Sequence, residues 1–149
     1  VLQIVLKLFN LVKPTNAYFG KKDAQQLSMI TTMVKDLFLD INIVPCEIVR
    51  EKDGLALSSR NVYLSEEQRK NSLNISKSLF HAKELIDNGE INIEIIKNSM
   101  NQILETLNVE YLEFVNNDFK KIQKIEKNNT VILIVAKLGN TRLLDNLWI

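Results

Sequence analysis

The residues best equipped for chemistry lie in Asp53-Gly54-Leu55-Ala56-Leu57-Ser58-Ser59-Arg60-Asn61, which gathers a carboxylate, two adjacent hydroxyls, a guanidinium and an amide. Hydroxyls and backbone N–H groups donate to phosphate oxygens, and a guanidinium can grip two of them in a planar fork. Gly54 lets the chain turn through dihedrals closed to other residues. Leu55, Ala56 and Leu57 are small or apolar enough to hold the segment against the protein body. The chemistry is that of a triphosphate clamp, although plain polar loops also contain short Ser-Ser-Arg strings. A second group is Gly20-Lys21-Lys22-Asp23. There a glycine permits close backbone approach, Lys22 offers a mobile positive charge, and Asp23 can accept from a ribose hydroxyl or hold Mg²⁺. The plain alternative is a solvated turn with Asp23 as helix N-cap. Gln26 follows about one turn later and could face the same cleft as Lys22.

The elements that must carry these groups follow from periodicity. Val1, Ile4, Val5, Leu8 and Val12 recur at helical spacing and predict a core helix that Pro14 ends. Ala17-Tyr18-Phe19 reads as a short buried strand, and Gly20 turns it into an amphipathic helix with Leu27, Ile30, Met33, Val34 and Leu37 on one face. Residues 41–49 form a second strand candidate, which Pro45 marks as an edge or an irregular one. This helix–strand–helix–strand order belongs to a doubly wound parallel sheet, with a helix N-terminus facing whatever binds above it.

Beyond Asn61 the pattern changes. Ser65-Glu66-Glu67-Gln68 is a capping-box signature for a long helix closed near Gly89, and Asn92 can cap another with Ile96, Met100, Ile103 and Leu107 in one stripe. Residues 109–115 and 130–138 read as strands, the second apolar enough to be central. Two helices followed by an antiparallel pair make a compact α+β domain. The lysine-rich connection (Lys120, Lys121, Lys124, Lys127) lacks interleaved aromatics and reads as a solvated rim.

Bulk properties exclude several classes. With 149 residues, 46% hydrophobic and 25% charged, the chain suits one domain or two small ones. A formal net charge of +1 gives no field that argues for nucleic acid or membrane partners. The single cysteine, Cys46, excludes an internal disulfide, fits a reducing compartment and reads as a buried inert thiol beside Pro45. The single histidine, His81, lies in the long helix with no ligand-spaced partner, so neither a His-based metal site nor a Ser/His/Asp triad is expected. Trp148 reads as a packing residue. The first helix is too short for a membrane span and lacks the flanks of a signal peptide. Because the chain opens inside an apolar-periodic run at Val1, it reads as a fragment whose upstream neighbours are missing.

Taken together, four blocks resemble the pantothenate synthetase (pantoate–β-alanine ligase) family. They are Val5-Leu6-Lys7-Leu8-Phe9-Asn10, then Tyr18-Phe19-Gly20-Lys21-Lys22-Asp23-Ala24-Gln25-Gln26-Leu27, then Val49-Arg50-Glu51-Lys52-Asp53 running on through Ser65, and finally Val135-Ala136-Lys137-Leu138-Gly139-Asn140-Thr141-Arg142-Leu143-Leu144-Asp145-Asn146. The resemblance spans almost the whole chain. It implies an α/β fold: residues 1–50 as the remainder of a Rossmann-like nucleotide-binding domain, and residues 51–149 as a smaller α+β lid domain.

The same resemblance implies a two-step, Mg²⁺-assisted reaction in the cytoplasm. Pantoate attacks the α-phosphate of ATP to give pantoyl-adenylate and pyrophosphate, and β-alanine then displaces AMP to form pantothenate. By position, Gly20, Lys21, Lys22 and Asp23 would sit on ATP, with Lys22 on phosphate and Asp23 near the ribose or Mg²⁺. Gln26 would bind pantoate, with Phe19, Val1 and Ile4 as apolar walls. Val49 would meet adenine through its backbone. Leu57, Ser58, Ser59 and Arg60 would form the mobile loop on the phosphates, and Lys22, Ser58, Ser59 and Arg60 would carry the catalytic charge stabilisation. A homodimer is also implied, with no nucleic acid and no membrane partner. Three departures stand out: the family's His-x-Gly-His motif is absent from these residues, Leu57 replaces a common Met, and Lys137 replaces a common Arg. These residues alone are therefore expected to be inert. The competing readings are a non-catalytic nucleotide- or partner-binding module, and an adenylyltransferase of the same class acting on another acid.

Overall fold

The computed structural model describes residues 1–149, which divide into two compact units, Val1–Ile48 and Val49–Ile149. In the first, α1 (Leu2–Val12) ends where Lys13 turns left-handed (φ 50°) and donates its N–H to Phe9 O at 2.8 Å. Pro14 disfavours helical geometry at the residue before it, so the stop is written locally. Strand β1 (Asn16–Gly20), a 3-10 turn (Lys21–Asp23), helix α2 (Ala24–Asp36) and strand β2 (Asn42–Cys46) follow. The strands pair in parallel, in register from Asn16 with Asn42 to Gly20 with Cys46. This is the expected α/β alternation.

Leu27, Ile30, Met33 and Val34 are buried, as their spacing requires, whereas Leu37 caps the helix and is exposed. The expected core stripe of α1 is corrected more substantially. Its buried residue is Phe9, helped by half-buried Leu2, Val5 and Leu6, while Val1, Ile4, Leu8 and Val12 are exposed. The helix is apolar around most of its circumference, so periodicity alone could not choose which stripe packs. The second strand is shorter than its apolar run, and Pro45 lies within it, exposed and opposite Phe19. Cys46 is half-buried rather than buried, because β2 has β1 as its one neighbour in this sheet.

The second unit carries a hairpin-like segment at residues 49–57, a 3-10 turn (Ser59–Tyr63), α3 (Glu66–Asp87), α4 (Ile93–Ile103), β3 (Asn108–Val115), β4 (Val131–Leu138) and β5 (Thr141–Trp148). Ser65 and Gln68 complete both arms of the capping box, and Asn92 Oδ1 accepts from Glu94 N at 2.9 Å to start α4. Ile96 and Met100 are buried as expected; Leu107 lies beyond the end of α4. The sheet has three antiparallel strands in the order β3-β4-β5, not the expected pair. The two-residue turn Gly139-Asn140, with Gly139 at φ +57°, is the hairpin signal for the added strand. Central β4 is buried except at Lys137, and its Ile132 and Ile134 join Ile75 and Leu79 of α3 and Ile96 and Met100 of α4 in one core. Burial of these side chains contributes roughly 1.5–3 kcal/mol each.

Helix α3 also buries Ser72, Ser76 and Ser78, each hydroxyl donating to a carbonyl three residues back (Arg69, Leu73 and Ile75). Small side chains there allow close approach. A Cβ at Gly54 would lie 3.5 Å from Ser76 Oγ, so the tip of the 49–57 segment rests on this face of α3.

Candidate functional site

The segment leading to the Ser-Ser-Arg turn is a narrow hairpin. Glu51 N donates to Leu55 O at 2.8 Å, Leu57 N donates to Val49 O at 2.9 Å, and Arg50 bridges Ala56. Gly54, at φ +95°, makes the tip, a conformation that L side chains rarely adopt. Leu55 and Ala56 are buried and root the second arm. Directly after them Leu57, Ser59 and Arg60 are exposed and Ser58 is half-buried. Ser58 is extended, and its Oγ accepts from Arg60 N at 3.3 Å, folding residues 58–60 into the start of the 3-10 turn. The reactive groups thus sit at the surface on a buried stem.

Asn61 ends this run and has a different task from its neighbours. It is buried, and its Nδ2 donates to Ala56 O at 3.1 Å and to the Glu51 carboxylate. Its amide closes the turn back onto the hairpin. Arg69, in the first turns of α3, fastens the other side. Its Nη2 donates to Glu51 Oε2 at 2.8 Å, and its Nε to Asp53 Oδ2 at 3.0 Å. Arg69, and then the Asn61 amide, hold the Glu51 carboxyl below its ordinary range. Arg69 likewise depresses Asp53, and the two carboxylates raise the arginine in turn. Asp53, the carboxylate of the clamp segment, is therefore structural.

Beside the turn, Arg60, Tyr63, Gln68, Asn140, Thr141 and Arg142 line an open cleft of about 600 Å³. Arg142 is held there by Glu110, its Nε donating to Oε2 at 2.6 Å, and this pairing raises its pKa. Lys137 is an exposed residue of β4 paired in register with Arg142.

Within the first unit, Gly20 is extended (φ −70°), and a Cβ there would meet nothing nearer than 4.0 Å. Within these residues the backbone does not demand glycine at this position. Lys21 Nζ donates to Glu47 Oε1, joining the ends of β1 and β2, and Lys22 is half-buried. Asp23 stands at the N-cap of α2 yet makes no side-chain capping bond, and its carboxylate is exposed. The plain capping alternative therefore lacks the hydrogen bond that defines it. Gln26 is half-buried in the first turn of α2. Phe19 meets Phe9 edge-on, with centroids 6.3 Å apart at 75°, and so belongs to the packing of this unit. Val1 (72% exposed) and Ile4 (59%) lie outside that cluster. The fold thus gathers residues 20–23 and Gln26 at one end of β1 and α2, and residues 57–60 on one turn.

Val49 is exposed and its carbonyl already accepts from Leu57 N. His81 Nε2 lies 2.7 Å from Ser99 Oγ between α3 and α4. Lys121 pairs with Glu113 at 3.1 Å on an otherwise solvated rim. Trp148 is half-buried at the end of β5. No group of three or more His, Cys, Asp or Glu side chains could hold a metal, and no helix is long and apolar enough to cross a membrane.

Arg50, Glu51, Arg69 and Asp145 were not singled out from sequence as supports of the turn. The available signal was that Arg50, Glu51 and Asp145 lie inside the third and fourth blocks. Arg50 Nη1 and Nη2 donate to Asp145 Oδ2 and Oδ1 at 2.6 and 3.1 Å across 95 positions of sequence.

A model of a protein family described as Pantoate-beta-alanine ligase matches residues 1–148. The chain is 60% identical over its whole length to the pantothenate synthetase of Aliarcobacter butzleri, covering 55% of that protein. It is 58% identical to the pantothenate synthetase of Helicobacter pylori, covering 54%. The chain thus spans about half the length of these relatives. Among solved structures it resembles pantothenate synthetase from Thermus thermophilus, with a TM-score of 0.92, 34% identity, and 99% of this chain over 54% of that one. It also resembles the Francisella tularensis pantoate-beta-alanine ligase complexed with beta-gamma ATP and beta-alanine, with a TM-score of 0.67, 30% identity, and 99% over 48%.

Proposed function

Because this chain belongs to the pantoate–β-alanine ligase family, we propose that it serves in the ATP-dependent joining of pantoate and β-alanine. A pantoate carboxylate oxygen bonds to the α-phosphorus while the bond to pyrophosphate breaks. The β-alanine nitrogen then attacks the acyl carbon, AMP leaves with the bridging oxygen, and the surplus proton passes to solvent. Neither step needs a protein nucleophile, so the work is positioning and charge neutralisation. The observation that carries this reading is the surface turn of Ser58, Ser59 and Arg60 on its buried stem, in a chain of this family.

In this reading Ser58, Ser59 and Arg60, with Leu57 beside them, receive phosphate oxygens, and Lys22 supplies a further positive charge. Gly20 and Lys21 approach the nucleotide through backbone and side chain, and Val49 meets the adenine. Gln26 hydrogen-bonds pantoate against Phe19, while Val1 and Ile4 present apolar surface to its methyl groups. The donor set fits Mg²⁺ as a companion of the triphosphate rather than as a resident ion. Asp23 offers one exposed carboxylate without a cluster around it, and Mg²⁺ is usually held by one or two carboxylates plus phosphate and water. Bound there, the ion would neutralise phosphate charge. The family resemblance also supports a cytoplasmic homodimer as the working form.

The test is pantoate-dependent release of pyrophosphate and AMP by the intact polypeptide that carries this segment. Arg60→Ala should lower kcat/KM by about 10²-fold, the usual effect of removing a charge-stabilising donor. The 149-residue chain assayed alone should form no pantoyl-adenylate. Undiminished turnover in Arg60→Ala, or release that ignores pantoate, would overturn the proposal.

A further inference from the structure

The fourth sequence block, containing Asp145, has no role in the chemistry above, yet it reaches the turn that does. Asp145 is 3% exposed in β5, and its carboxylate is fully engaged. Oδ2 accepts from Arg50 Nη1 at 2.6 Å; Oδ1 accepts from Arg50 Nη2 at 3.1 Å and from Asn146 N at 2.8 Å. Arg50 Nη1 also donates to Gly54 O at 3.1 Å, and the guanidinium lies 5.0 Å from the centroid of the Phe80 ring on α3. One side chain therefore ties the hairpin tip to a strand and a helix of the domain core.

The turn inherits that attachment. Arg50 bridges Ala56, Leu57 N makes the last bond of the hairpin to Val49 O, and Ser58, Ser59 and Arg60 leave it immediately afterwards. Asn61 returns to Ala56 O, so both ends of the exposed residues are fixed to the arm that Arg50 holds. The exposed residues are otherwise held by backbone bonds, Leu57 N to Val49 O at 2.9 Å and Asn61 N to Ser58 O at 3.1 Å, and by the Ser58 hydroxyl on Arg60 N. Burial of Leu55 and Ala56 already supplies non-directional attachment. A buried ion pair adds little net stability over well-packed apolar residues, but a two-bond fork fixes direction.

We propose that Arg50 and Asp145 are positioning residues that orient the turn of Ser58, Ser59 and Arg60 for the triphosphate. This deepens the ligase reading and rests on it for the identity of the ligand. Reactive groups must be held to within about 0.5 Å by a supporting shell, and a misplacement of about 1 Å can cost 10²-fold in rate.

The test compares Asp145→Asn and Arg50→Lys with wild type in the intact enzyme. Asp145→Asn removes the charge with little change of shape; Arg50→Lys keeps charge but loses the fork. Both should lower kcat/KM for ATP by about tenfold or more, Arg50→Lys less than Asp145→Asn, with KM for β-alanine shifted less than about twofold. Hydrogen exchange in the intact enzyme supplies a readout independent of turnover. Amides of residues 57–61 should exchange faster in both variants while those of β4 stay protected. Equal losses for ATP and β-alanine, or exchange rising equally in β4 and the turn, would mean a merely structural pair. A wild-type enzyme that makes no AMP from pantoate would remove the ligase reading, leaving the exchange result to decide the positioning claim.

Discussion

The two units support their candidate residues in opposite ways. In the second, exposed Ser59 and Arg60 stand on a stem wired into α3 by Arg69 and into β5 by the Arg50–Asp145 pair. In the first, residues 20–23 connect β1 to α2, and half-buried Lys21 pairs with exposed Glu47. Their cores differ in the same sense. The second unit closes a core between its helices and three-stranded sheet, whereas the first has a two-stranded sheet and leaves Val1, Ile4, Leu8 and Leu11 exposed on α1. An exposed turn can be held in one orientation when polar groups beneath it are fixed to the core. A turn at a strand–helix junction relies instead on the elements at its two ends.

The largest contrast should appear on separating the units. Residues 49–149 alone should show a cooperative thermal transition and dispersed amide resonances, while residues 1–48 alone should be unfolded, since chains near that length seldom close a core unaided. A folded 1–48 peptide would erase the difference. Next come the two ion pairs. Asp145→Ala should destabilise the second unit by about 3 kcal/mol, because it strands a largely buried guanidinium, whereas Lys21→Ala should cost below about 1 kcal/mol. Denaturant midpoints decide between them, and equal effects would refute the contrast.

Acid sharpens it further. Glu51 and Asp53 have folded pKa values below their ordinary 4.5 and 3.8. The stability they supply is therefore complete above those ordinary values and is lost as pH falls through the lowered ones. Thermal melts of residues 49–149 should lose stability below about pH 4.5, and Arg69→Met should flatten that loss by removing its main cause. An unchanged acid profile in Arg69→Met would sink this account. Two glycines divide the units in the same way, with effects smaller than that of Asp145→Ala. Gly139→Ala should cost about 1–2 kcal/mol, from the left-handed backbone and from a Cβ placed 2.5 Å from Gln68 Nε2 of the capping box. Gly20→Ala should stay within about 0.5 kcal/mol of wild type. If it weakens ATP binding at unchanged stability, ligand approach is the reason for glycine there.

Much of this was legible from residue types. The alternation of helix and strand up to Cys46, the capping box at Ser65 and Gln68, and the cap at Asn92 are local signals confined to a few consecutive residues. Strand β5 was harder to see, because Arg142, Asp145 and Asn146 interrupt its apolar residues. Asp145 and Asn146 are buried by pairing and packing that lie far away in sequence. The site was legible in the same proportion. Ser58, Ser59 and Arg60 announce phosphate chemistry by type, but nothing local says that Asn61 points inward while Arg60 points out.

The sequence by itself therefore determined the helices, their caps, the family and the residues suited to phosphate, since each depends on neighbours a few positions apart or on recurring blocks. Tertiary structure alone decided which stripe of α1 is buried, that Asp53 answers to Arg69 rather than to a ligand, and that Asp145 holds the hairpin beneath the turn. Those outcomes depend on which faces meet after the chain has collapsed. A carboxylate in a sequence is free to serve a metal, a substrate or an arginine until packing places one of them within reach.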